Sequence, residues 1–168
     1  SRVLQWLSSP KTAVRSMINA VKEGGQLVIL DYNHEKIEWQ PKPPESMQRF
    51  YNLFLKWRRD AGMDNHIADH LETIFQEYGL NQIHVSPQHE ESKRSNIDFE
   101  SKVGIWADVA ASRGHQLVQE HYLSEQTRLM AETEYRRWVS EEAIYMKMYL
   151  LAVSGSKIGI ANAGKKMK

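Results

Sequence analysis

The sequence predicts an α/β fold in which helices cover a short sheet. One observation is the run Gln26-Leu27-Val28-Ile29-Leu30-Asp31-Tyr32. Its four consecutive apolar residues show no alternation, which reads as a strand buried on both faces, as in a parallel sheet covered by helices. A second is the helical stretch before it, stopped by Gly24-Gly25, so that helix, turn and buried strand make half of a right-handed α/β unit. A third is the balance of elements: three strand candidates against about five helices, a thin sheet for that much cover.

Composition sets the frame. The 168 residues allow one domain with a real core. At 41% hydrophobic and 26% charged the chain reads as globular. Lys+Arg is 22 and Asp+Glu is 21, so the net charge of +1 gives no field for drawing in nucleic acid or an anionic membrane. With no cysteine, disulfides, thiolate metal sites and Cys nucleophiles are excluded. No apolar run approaches the roughly 20 residues of a membrane span, and no signal peptide is visible. The expectation is a soluble, cytoplasmic protein.

Val3, Leu4, Trp6 and Leu7 are apolar at the very start, where a chain is usually polar, so this segment reads as cut from inside a folded element. Ser9-Pro10 starts a helix with Ser9 as N-cap and Pro10 at its first position, and Val14, Met17, Ile18 and Val21 recur at helical spacing. After the strand, residues 33–44 read as a loop rich in proline (Pro41, Pro43, Pro44). Met47, Phe50, Tyr51, Phe54, Leu55 and Arg58 then share one helix side, and Gly62 breaks it. A second helix from about Asn65 to Tyr78 carries Ile67, Leu71, Ile74 and Phe75 on one face, with Gly79 at its C-terminal cap. Residues 81–86 read as a short strand and 87–97 as a polar loop. Phe99, Val103, Trp106 and Ala110 mark another helix, ended by Gly114. Residues 124–139 look helical with Ser124 as N-cap, and 143–153 are the second long strand candidate.

This order of pieces resembles the C-terminal half of a class I S-adenosylmethionine-dependent methyltransferase of the small-molecule type. The resembling segments are Arg2-Val3-Leu4-Gln5-Trp6-Leu7, the helix from Pro10 through Val21-Lys22, and Gly24-Gly25-Gln26-Leu27-Val28-Ile29-Leu30-Asp31-Tyr32-Asn33-His34. The resemblance implies a Rossmann-like sheet of which these are strands five to seven, with 26–32 as strand five, 81–86 as strand six and 143–153 as strand seven, antiparallel and inserted between the other two. Residues 46–78 are then the helical cover. The domain reading is 1–155 as the C-terminal part of a methyltransferase domain, with 98–140 a helical insertion before the last strand and 156–168 a flexible or added tail. The implied cofactor is S-adenosyl-L-methionine. The family's first strand and glycine-rich loop have no counterpart here: Gly155-Ser156-Lys157-Ile158-Gly159 lacks the G-x-G-x-x-G spacing, and Gly24-Gly25 follows a helix. The expectation is that this chain alone binds the cofactor poorly or not at all.

Asp31-Tyr32-Asn33-His34 stands where the resemblance puts the strand's exit, where open α/β sheets bind ligands. His34 has the ordinary pKa of a general base and is the catalytic candidate; Tyr32 and Asn33 could orient the acceptor. The alternative is a turn asparagine and a solvated histidine. Arg2 and Gln5 are implied to lie near the cofactor's methionine end, or are surface and core-edge residues. Trp39, Trp57 and Arg58 could wall an apolar or planar acceptor, although Trp57 sits at core spacing. Asp64 and Asn65 lie at a polar break and could face the pocket, with Asn65 equally an N-cap. His66 and His70 are i, i+4 but lack the H-E-x-x-H pattern, and no metal is expected. The partner is a small-molecule acceptor; nucleic acid and membrane are not expected. The alternative reading is a cofactor-free binding or dimerisation module that pairs through an open sheet edge.

Overall fold

Pro10 does open a helix. The computed structural model describes residues 2–158, and in it α1 spans Pro10–Ala20 after a 3-10 turn at Leu4–Trp6. Ser9 does not cap it through its side chain; the Ser9 carbonyl accepts from Thr12 N–H at 3.1 Å instead. The chain then turns through Gly24, whose φ of +73° favours glycine. β1 follows at Gln26–Gln40, then α2 at Glu45–Asp60, α3 at Ile67–Glu77 and β2 at Asn81–Pro87. A short β3 at Glu90–Lys93 precedes α4 (Phe99–Val103), α5 (Ile105–Gln119), α6 (Glu125–Glu141) and β4 (Tyr145–Ser156).

The fold is mixed α/β with an open sheet in the order β1-β4-β2, β3 also pairing with β4. β2 and β3 both run antiparallel to β4, with Val85 opposite Val153 and Ser92 opposite Met146. A register irregularity between Asn81 and His84 falls where Gln82 takes a φ of +51°. The expected order, with the last strand between the other two, is the one found.

The expected burial of β1 on both faces is not found. Val28, expected to be buried, is 56% exposed while Ile29 is 3% exposed. An antiparallel sheet can leave one face wet, and β1 is the edge of this one. Nor do residues 33–44 form a loop: β1 continues to Gln40 through the alternation Ile37-Glu38-Trp39-Gln40, half-buried then exposed, and stops at Pro41 after a cis Gln40–Pro41 bond. Two further corrections concern residues 87–119. The polar loop at 87–97 contains β3, and Gly114 does not end a helix but lies inside α5.

The described residues fall into two compact units. The first takes residues up to 34, 62–89 and those from 149 onward; the second takes 35–61 and 90–148. In the first unit α1 and α3 bury Val14, Ile18, Ile67, Leu71 and Phe75 with Ile29 and Val153 of the strands. In the second, α2, α5 and α6 pack Phe50, Phe54, Trp106, Leu117, Tyr135 and Trp138. Ser124 does cap α6, accepting from Thr127 N–H at 3.2 Å. The expected tail lies mostly outside the described residues. Among the described residues no helix is long and apolar enough to cross a membrane.

Candidate active site

Successive residues of β1 point to opposite faces, so Ile29, Asp31 and Asn33 share one side and Tyr32 and His34 the other. Tyr32 and His34 also direct their backbone N–H groups the same way. Neither group goes to a strand: Tyr32 N–H donates to Asp31 Oδ1 at 2.9 Å and His34 N–H to the Asn65 carbonyl at 2.8 Å. The edge of β1 is thus dressed at these two residues by a side chain and by the segment before α3. This is why β1 can carry four consecutive buried residues, Asp31 to His34, three of them strongly polar.

The 3-10 turn completes the cluster. Gln5 N–H donates to Asp31 Oδ2 at 3.3 Å, and the Gln5 side-chain amide donates to the Arg2 carbonyl at 3.1 Å. That second bond turns Gln5 Oε1 toward the His34 ring, where it can only accept, so His34 Nε2 carries the hydrogen. The neutral ring then has its lone pair at Nδ1. The ring is 5% exposed and stands 5.7 Å from the Tyr32 ring, which the Arg2 guanidinium covers at 5.2 Å. Asp31 is fully buried, and that burial pushes its carboxyl above the usual carboxylate range. The N–H groups of Tyr32, Gln5 and Leu4 pull it back in part.

A second network continues from Asn33. Its amide donates to Asp69 Oδ2 at 2.7 Å and reaches His66 Nδ1 at 3.2 Å. Used as a donor to both, it leaves His66 protonated at Nε2. Asp64 Oδ1 accepts from His66 N–H at 2.8 Å, and Asp64 Oδ2 accepts from His70 Nδ1 at 2.6 Å. Asp64, rather than Asn65, therefore tends the start of α3, whose N-cap position is His66. The i, i+4 histidines are each engaged by a neighbour on their Nδ1, and the described residues hold no group of three metal-ligating side chains.

The structure gathers Arg2, Gln5, Tyr32, Asn33, His34, Asp64 and Asn65 in the first unit. Tyr32, Asn33 and His34 stand in mid-strand rather than at the carboxyl end of β1, because β1 runs on to Gln40. Trp39, Trp57 and Arg58 belong to the second unit. Trp57 is buried, stacks on Phe54 and donates its indole N–H to Glu120 Oε2 at 2.8 Å. Arg58 is fully buried with its guanidinium over the Phe54 ring at 5.5 Å. Trp39 lines a cleft of about 440 Å³. Asp31, His66 and Asp69 stand in segments the sequence singles out, but the sequence assigns none of them a contact with the acceptor. Asp31 has a signal, a carboxylate directly after four apolar strand residues; His66, at the N-cap position of α3, and Asp69, in its first turn, are marked only by the i, i+4 histidine pair.

The chain is similar to several solved structures. Phosphoethanolamine N-methyltransferase 2 of Haemonchus contortus, solved with phosphomonomethylethanolamine and S-adenosylhomocysteine, matches with a TM-score of 0.41 and 11% identity over 94% of this chain and 32% of that one. The [4+2]-cyclase SpnF matches with a TM-score of 0.39 and 14% identity over 94% and 48%. A putative methyltransferase from Bacillus halodurans C-125 matches with a TM-score of 0.40 and 15% identity over 94% and 67%. The chain thus spans about a third and about half the length of the first two. Likeness at this level assigns neither a family nor an activity. No family model and no curated protein matches the sequence.

Proposed function

We propose that the chain is the acceptor-side part of an S-adenosylmethionine-dependent methyltransferase acting on a small molecule. The observation that supports this best is the strand order, with antiparallel β4 between β1 and β2, joined to the segment order of the sequence. The residues present do not make a cofactor site. Among the described residues no glycine-rich loop follows a strand, and Gln5, a candidate cofactor contact, has both ends of its amide committed within the buried cluster. The reading assigns cofactor binding to sequence outside these residues, and this chain alone is inactive.

What the chain's own residues supply is orientation and a proton acceptor. Gln5 is a positioning residue that holds the His34 tautomer, and the His34 ring is the general base for an acceptor that must lose a proton. Asn33, braced by Asp69, fixes the side of β1 opposite to His34. Tyr32, Asp64 and Asn65 shape the polar surroundings, and Arg2 offers an exposed guanidinium over Tyr32. Trp57 and Arg58, locked in the packing of α2, are assigned no contact with the acceptor.

The test joins this chain to a glycine-rich first half of a methyltransferase domain and follows methyl transfer to a small-molecule panel. Turnover is expected, falling about 100-fold in His34→Ala. Absence of turnover for every acceptor by a folded, cofactor-binding polypeptide would sink the reading.

One observation favours a second reading, a pairing module. Beyond its dressed stretch, β1 is a sheet edge with Val28 exposed, and among the described residues no strand pairs that side. Analytical ultracentrifugation separates the two. A dimer lost on Val28→Lys supports pairing, and a monomer at all concentrations removes it.

A further inference from the structure

The second unit holds a cleft whose residues the buried polar cluster does not use. It opens at the end of β1 and along the first two turns of α2, with a volume of about 440 Å³, within the range of small-molecule sites. Its inner surface is apolar: Met47 is fully buried, Tyr51 is 6% exposed, and Ile37 and Trp39 are half-buried.

This aromatic wall is fixed in place. The Trp39 indole N–H donates to the Tyr135 hydroxyl at 3.0 Å, which donates on to the Val103 carbonyl at 3.1 Å. The Trp39 ring meets Tyr51 edge-on at 5.3 Å, and Tyr51 meets Trp106 edge-on at 4.7 Å. A ligand ring laid against Trp39 and Tyr51 would meet side chains already ordered, so little rotamer entropy is lost on binding. Trp39 keeps part of its ring uncovered although its polar atom is already bonded, which leaves its remaining surface suited to an apolar, planar partner.

The rim decides the charge of that partner. Two charged side chains line the cleft, Glu38 and Lys42. Glu38 is neutralised by an ion pair with Lys147. Lys42 is exposed and makes no ion pair among the described residues. The Gln48 amide donates to the Pro43 carbonyl at 2.7 Å, bracing the turn that carries Lys42. An aromatic wall beside one uncompensated ammonium is complementary to a flat ring bearing an acidic group.

We propose that this cleft binds a planar aromatic carboxylate, its ring against Trp39 and Tyr51 and its carboxylate at Lys42. The site is complete within the second unit and does not rest on methyl transfer, since binding alone is read in its test. The probe is 2-naphthoate, titrated into the ¹⁵N-labelled protein while the indole N–H signals are followed; Trp39→Phe identifies the Trp39 signal by its loss. A saturable shift of that signal is expected for 2-naphthoate, weaker for 2-naphthalenemethanol. Lys42→Gln, at an exposed rim position, is expected to weaken 2-naphthoate about threefold, the scale of an exposed ion pair, and to leave the alcohol unchanged. Trp39→Leu should weaken both ligands. No saturable shift up to about 5 mM, near the weak end of measurable affinity, would overturn the proposal. So would equal affinity for acid and alcohol, or tighter binding of 2-naphthylmethylamine than of the acid.

Discussion

Replacing Gly114 by alanine should destabilise the protein, although helix propensity alone says the reverse. Gly114 sits inside α5, where alanine is intrinsically favoured by about 1 kcal/mol. Its missing side chain is filled by α6. A Cβ there would lie 2.8 Å from Arg128 Cγ, 3.0 Å from Arg128 Cδ and 3.3 Å from Phe50 Cε2. Arg128 cannot simply swing aside. Its side chain is 5% exposed, its Nε and Nη2 donate to Glu125, and its Nη1 donates to Glu132 at 2.8 Å and to the Ala110 carbonyl at 3.2 Å. Phe50 is fully buried and equally confined. Overpacking a closed site of this kind costs about 2–3 kcal/mol. Subtracting the propensity gain leaves a net loss of about 1–2 kcal/mol. The assay is urea unfolding followed by far-UV circular dichroism, with a double-mutant cycle through Arg128→Ala. With the arginine stem gone, Gly114→Ala should become neutral or stabilising, a coupling of at least about 1 kcal/mol. A raised midpoint for Gly114→Ala in the native background, or equal effects in both backgrounds, would refute the argument.

Two further perturbations probe the first unit. Gly155→Ala in β4 would bring a Cβ to 2.9 Å from Phe75 Cδ2 and 3.2 Å from Leu80 Cβ, both core atoms. A loss of about 1–3 kcal/mol by thermal or urea unfolding is expected, and an unchanged midpoint would contradict the packing described. Asp31 has a folded pKa raised above its ordinary 3.8, so it binds its proton more tightly folded than unfolded. Its contribution is therefore greatest below that ordinary value and is lost as pH rises through the folded one. The stability of the native protein relative to Asp31→Asn should fall as pH rises above the ordinary value of 3.8; a relative gain over that rise would show that the N–H donors outweigh burial.

Much of this architecture was legible because local chemistry and tertiary packing agree. Gly62 and Gly79 both take positive φ, at +79° and +73°, where the periodicity of α2 and α3 ends. Ser124 caps α6, and the long apolar strand at the end is the middle of the sheet. The misreadings have physical causes. Residues 33–40 looked like loop because Asn33, His34, Glu35 and Lys36 are polar. Asn33 and His34 are strand residues whose polar groups are satisfied by side chains from elsewhere in the chain, which no local pattern reveals. β3 is a polar, mostly exposed strand held by pairing with β4, so its sequence carries no hydrophobic signal. Glycine usually stops a helix; Gly114 instead lies inside α5 and is a contact surface for Arg128. At the site, Tyr32, Asn33 and His34 were found from their place after the apolar run. The pairing of Asn33 with Asp69 and His66, and of Asp31 with Gln5, is visible only through hydrogen bonds across long sequence separations.

Methyl transfer divides into a cofactor side and an acceptor side, and under the proposed function these residues hold only the second. Isothermal titration of S-adenosyl-L-methionine tests it most directly, on this chain and on the same chain joined to a glycine-rich first half. No measurable heat is expected for the chain alone up to about 1 mM, and saturable binding for the joined polypeptide. Micromolar binding by this chain alone would contradict the division, and no binding by a folded joined polypeptide would contradict the methyltransferase reading itself.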